Sequence, residues 1–173
     1  MFKVGDNIFY PLHGAGTIES IEEKDILGES KKYYIMKMPI GDVKVMVPTE
    51  NAENIGVRDI SDKSVVDEVF KVFDMSAEDE KVSWSKRYRD NMDKMKTGDL
   101  VEIADVVRSL SFKQKEKGLS TGEKKMLGNA KQILLSELVL TNNQGKEELE
   151  EIISDKIQKA YEQKLATEME ILN

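Results

Sequence analysis

The sequence contains no cysteine, one histidine (His13), one tryptophan (Trp84) and three prolines in 173 residues. Without cysteine there are no disulfides, no thiolate nucleophile and no Cys/His zinc site, a composition that suits a reducing cytoplasm. Neither the phosphate-cradling G-x-x-x-x-G-K-[ST] loop nor the dinucleotide turn G-x-G-x-x-G occurs. The G-x-S-x-G elbow is missing too, so the PLHGAG stretch around His13 has no nucleophile to serve and reads as a turn made by Gly14 and Gly16 between strands. The acidic pairs Glu22-Glu23 and Glu147-Glu148 are adjacent rather than spaced to face one cleft. No run approaches the roughly 18 apolar residues of a membrane helix, and no signal-peptide pattern is present. These absences lead us to expect a soluble, cytoplasmic, non-enzymatic protein with no cofactor, no metal, no membrane partner and no small-molecule substrate.

Charge is plentiful and unevenly placed. The formal net charge is −7, which taken whole repels phosphates. Residues 1–80 carry 9 Lys/Arg against 17 Asp/Glu, residues 81–131 carry 13 against 7, and residues 132–173 carry 4 against 9. A basic block therefore sits between two acidic ones. It reads either as a nucleic-acid footprint or as ordinary charge fluctuation on solvated helices.

The first sixty residues read as β. Ile8–Tyr10 is a short apolar run ending at Pro11, Thr17–Glu22 alternates with Ile18 and Ile21 as its apolar members, and Lys32–Met38 and Val43–Val47 are further strands around a Pro39–Asp42 hairpin turn. So many short strands in so little chain predict a small, strongly bent sheet or barrel. Beyond Pro48 the period becomes helical. Ser61–Phe73 is helix-compatible, Asp74–Glu80 is an acidic connector, and Asp99 with Glu102 and Ser120 with Glu123 have capping-box spacing. Asn142–Gly145 breaks the helical pattern before a last amphipathic helix. The fold class is α+β, with a β-rich domain over 1–60 and an all-α domain over 61–173.

One stretch stands out, Val82–Arg89, which holds the only tryptophan and three cations in four positions. On a helix starting near Ser83, Lys86, Arg87 and Arg89 would fan around one end and could pair with successive phosphates, while Trp84 could wedge against bases. Against this, Trp84, Tyr88, Met92 and Met95 share one helical stripe, and periodicity favours core packing for Trp84. Its place in the first turn leaves room for it to extend past the packed part. A second basic group, Lys124, Lys125 and Lys131, lies at and beyond the start of the helix after Ser120, where free N–H groups and the helix dipole favour an anion. Solvated surface is the alternative for these lysines.

The segments FKVGDNIFYPLHGAG (2–16), VPTENAENIGVRDI (47–60), WSKRYRDN (84–91) and GLSTGEKKML (118–127) resemble the CarD/CdnL family of bacterial RNA polymerase-binding transcription regulators. The N-terminal pattern is shared with the polymerase-interacting domain of transcription-repair coupling factors. The resemblance implies a Tudor-like β-barrel that docks on the RNA polymerase β subunit, and a helical domain that contacts promoter DNA at the upstream edge of the transcription bubble. It implies that Trp84 sits against the minor groove and hinders bubble collapse, while Lys86, Arg87, Arg89 and Lys124 hold the backbone. Lys24 and Met46 match places where family members often carry arginines toward the polymerase. Lys24 keeps the charge without bidentate pairing, and Met46 loses it. The expected function is open-complex stabilisation without sequence readout; the alternative is a protein–protein module with no DNA contact.

Overall fold

A computed structural model describes residues 1–77 and 81–173. Of the acidic connector, Glu78, Asp79 and Glu80 lie outside the described residues. The elements run β1 (Asn7–Tyr10), β2 (Gly14–Ile26), β3 (Glu29–Lys37), β4 (Lys44–Pro48), β5 (Arg58–Asp59), α1 (Lys63–Phe73), α2 (Trp84–Lys96), α3 (Leu100–Glu116), α4 (Thr121–Asn142) and α5 (Lys146–Leu172). The strands form one antiparallel sheet in the order β4-β3-β2-β1-β5.

This sheet corrects the expected barrel: it is open. Closure would need a ladder between β4 and β5, but β5 supplies only Arg58 and Asp59, and both pair with β1. The segment after β4 covers the gap instead, where Ala52 and Val57 are buried against Ile8, Ile18, Tyr34, Met36 and Val47. The three-residue spacing of Ile18 and Ile21, odd for a strand, has its cause in a bulge between Ile18 and Ser20. The extra residue returns Ile21, opposite Tyr34, to the face that Ile18 shares with Met36. Gly14 and Gly16 lie within β2 rather than forming a turn. A Cβ on Gly16 would lie 2.7 Å from the Lys37 carbonyl oxygen, and one on Gly14 would lie 2.6 Å from Ser136 Oγ. They are small because other chain segments pass close by.

The helices start as their capping residues predict. Asp62 accepts from Ser64 N and Val65 N, Ser83 from Lys86 N, Asp99 from Val101 N and Glu102 N, and Ser120 from Glu123 N. The reciprocal half of the capping box forms at Ser120. At Asp99 the backbone N–H is already taken by Thr97 Oγ1, so Glu102 has nothing to answer.

The buried residues form two clusters, one wholly within the sheet region, and the larger one crosses residue 60. Phe9 and Ala15 of the sheet belong to the same buried cluster as Val69, Phe73, Leu100, Ile103, Leu110, Leu134, Leu138 and Leu149 of the helices. Helix α4 crosses β2, where Ala15 N donates to the buried Ser136 Oγ at 2.9 Å. No helix among the described residues is long and apolar enough to cross a membrane.

Candidate nucleic-acid interface

Helix α2 opens with Trp84, and the indole is 48% exposed. The stripe that favoured core packing therefore holds only further along: Met95 is buried and Tyr88 and Met92 are partly buried, but the first turn projects past the packed part. Trp84 is nevertheless held. It stacks on Tyr88 one turn later, with ring centroids 5.4 Å apart and planes at 24°, and its Nε1–H donates to Ser120 Oγ at 3.2 Å. Ser120 also accepts from Glu123 N and donates to Glu123 Oε1 at 3.1 Å. One hydroxyl thus fills one donor and two acceptor roles, joining the start of α2 to the start of α4.

Behind this contact lies a charged cluster. Glu123 is 2% exposed and receives Lys113 Nζ at 2.8 Å and Arg87 Nε at 3.4 Å. Burial opposes its ionisation, but the Lys113 ammonium and the hydrogen bonds from Ser120 outweigh this and hold the carboxyl below the ordinary carboxylate value. Two expectations shift as a result. Arg87 turns inward to Glu123 rather than lying beside Lys86 and Arg89. The anion favoured by the start of α4 is supplied, in part, by the chain's own Glu123.

The remaining cations divide by position. Lys86 is exposed and bonds Asp90 one turn on, at 2.7 Å. Arg89 is exposed on α2, and Lys124 and Lys125 are exposed in the first turns of α4, close along the chain to Ser120 and hence to Trp84. Lys131 is exposed too, but lies about 10 Å further along α4 than Lys124 at the usual rise per residue. It lines a groove against α5 with Lys115, Glu150 and Ser154. Lys86 and Arg89 lie with Trp84 in the first two turns of α2, and Lys124 and Lys125 in the first two turns of α4; Arg87 lies between the two helix starts, bonded to Glu123, and Lys131 lies away from them. Tyr88 and Ser120, which present the indole, were not among the expected site residues. Ser120 was legible only as a helix cap, and its partner lies 36 residues away.

On the sheet, Lys24 pairs with Lys31 and Met46 with Ile35. Residues paired across a ladder share a face, and Lys31 and Ile35 are four apart on β3, so Lys24 and Met46 lie on one face, about 13 Å apart along the strand direction. Met46 is 41% exposed, and Lys24 is exposed and ion-paired with Glu22 at 3.2 Å. Among the described residues no cluster of three or more His, Cys, Asp or Glu could hold a metal ion.

The molecule thus joins an antiparallel sheet, with Lys24 and Met46 on one face, to helices that carry an exposed tryptophan at the start of α2. Residues 2–61 match the family model of the CarD-like/TRCF RID domain, and residues 68–154 match that of the CarD C-terminal domain. YdeB of Bacillus subtilis (strain 168), a candidate transcription factor, is 45% identical over 138 residues, covering 80% of this chain and 90% of that protein. The chain belongs to the CarD-like family and so to transcription regulation. The part of α5 beyond residue 154 lies outside both matched segments.

Proposed function

We propose that this protein binds the RNA polymerase β subunit through the Lys24/Met46 face and lays Trp84 against the minor groove at the upstream edge of the promoter bubble. The division of labour follows the chain, with 1–60 facing polymerase and 61–173 facing DNA. The observation that carries this reading is the half-exposed indole, stacked on Tyr88 and bonded to Ser120, with Lys86 and Arg89 exposed in the first two turns of its own helix and Lys124 and Lys125 exposed in the first two turns of α4. An exposed tryptophan fixed at both its edge and its face is costly as mere surface, yet it suits a flat wedge against an opened base step. The cations supply phosphate contacts without base readout. A wedge that binds only melted DNA shifts the closed-to-open equilibrium by its differential affinity.

The test is open-complex lifetime on a competitor-challenged promoter. Trp84→Ala shortens the lifetime while co-purification with polymerase persists; an unchanged lifetime refutes the wedge. Lys124→Glu lowers DNA association for all sequences alike and makes its salt dependence shallower by about one phosphate contact. If neither change has an effect, and the full chain bound to polymerase adds no DNA contact, the protein is an interaction module only. Lys24→Glu with Met46→Glu abolishes co-purification.

A further inference from the structure

The two surfaces of the proposed function lie on different parts of the chain, so their relative placement has to be set by something between them. Three elements meet at one side chain, Arg58 of β5. Its Nε and Nη2 donate to the Gly98 carbonyl at 3.2 and 2.7 Å. Its Nη1 donates to Glu137 Oε1 at 2.6 Å and to its neighbour's Asp59 carbonyl at 2.9 Å, and Nη2 reaches Glu137 Oε2 at 3.5 Å. All five guanidinium N–H groups are thereby used. The guanidinium also lies 4.2 Å above the Phe9 ring. Glu137 is fully buried and takes a further bond from Ser61 Oγ at 3.0 Å.

The acceptor on the helical side is specific. Gly98 follows the C-terminal cap of α2 with φ +71°, a left-handed conformation suited to glycine. The positive charge of Arg58 therefore sits at the C-terminal end of the very helix that opens with Trp84, where the helix dipole also favours a cation. The side chain spans β5, the exit of α2 and the C-terminal part of α4.

Resting on the functional reading above, we propose that Arg58 is the positioning residue that sets the orientation of α2, and so of Trp84, relative to the polymerase-facing sheet. A lysine at 58 keeps the charge but, with one nitrogen on a flexible stem, cannot hold Gly98 and Glu137 together in the same planar fork. Arg58→Lys therefore keeps the fold and loosens the angle.

The absence of cysteine makes the test direct. Glu22→Cys and Ser85→Cys carry spin labels on β2 and beside Trp84, and pulsed dipolar spectroscopy reads the distance distribution. The native chain gives one narrow peak, and Arg58→Lys broadens or splits it. In the open-complex assay, Arg58→Lys shortens the lifetime severalfold with polymerase co-purification unchanged. Glu137→Gln, which keeps the shape and removes the charge, follows in the same direction. A narrow, unshifted distribution in a folded Arg58→Lys protein overturns the proposal, as does a native lifetime in a background where Trp84→Ala shortens it. If Trp84→Ala itself has no effect, the functional reading falls, and the distance distribution still decides the role of Arg58.

Discussion

The protein has two buried glutamates on one helix, and they do different work. Glu137, in the C-terminal part of α4, faces the sheet and takes bonds from Arg58 and Ser61, both outside the helical bundle. Glu123, in the first turn of α4, faces α2 and α3 and takes bonds from Arg87, Lys113 and Ser120. The first ties the sheet to the helices; the second ties together the helices that carry the exposed tryptophan. The difference teaches that burial of a carboxylate says little by itself. What it joins is decided by which cations the tertiary fold brings to it, and in both cases removing the carboxylate leaves its cations without compensation.

The sharpest way to break the comparison is Glu137→Ala. Losing the fully buried partner of Arg58 is expected to lower unfolding free energy by about 3–5 kcal/mol, measured by denaturant titration. A loss below about 1 kcal/mol would mean that the sheet–helix junction does not depend on the pair.

Glu123→Gln is expected to cost less, about 1–3 kcal/mol, because Gln keeps hydrogen bonds to Ser120 while losing the charge that Lys113 and Arg87 face. Acidity separates the two effects. The Glu123 carboxyl is held below its ordinary value of 4.5 in the folded protein. Its charge-dependent contribution is therefore fully present above the unfolded value and is lost as pH falls through the folded one. The stability gap between the native protein and Glu123→Gln should shrink as pH is lowered from neutrality through 4.5 and below; a gap constant with pH would deny the carboxylate this role.

The smallest effect is expected at Ser120→Ala, about 1 kcal/mol from the lost helix cap. The same change frees the indole edge. The emission of Trp84, the only tryptophan, should shift to the red with only a modest drop in Tm. Unchanged emission would show that the Nε1 bond does not hold the ring.

Much of the fold could be read in the sequence because its signals are local. The strands at Ile8–Tyr10, Lys32–Met38 and Val43–Val47 and the helix starts at Ser83, Asp99 and Ser120 are stated by alternation and capping residues, which act over a few positions. The candidate site was legible in part: Trp84 and the cations of α2 and α4 stand out in composition. Periodicity put Trp84 in the core, because a stripe does not state where its packing partners end. The inward turn of Arg87 escaped for a similar reason, since Glu123 lies 36 residues away. Whether the sheet closes was equally out of reach, since it depends on how much of the chain near Arg58 finds a partner.

The sequence by itself determined an α+β chain with a β-rich start, capped helices, a basic block between acidic ones and a lone tryptophan among cations. These follow from nearest-neighbour chemistry, which residue order carries directly. Only the tertiary structure decided that the sheet stays open, that the larger of two buried clusters runs through both parts, and that Arg58 and Glu137 meet across 79 residues. It alone decided that Ser120 holds the indole outward. Such pairings are set by packing between distant segments, where burial makes each hydrogen bond and charge depend on a partner that local sequence does not name.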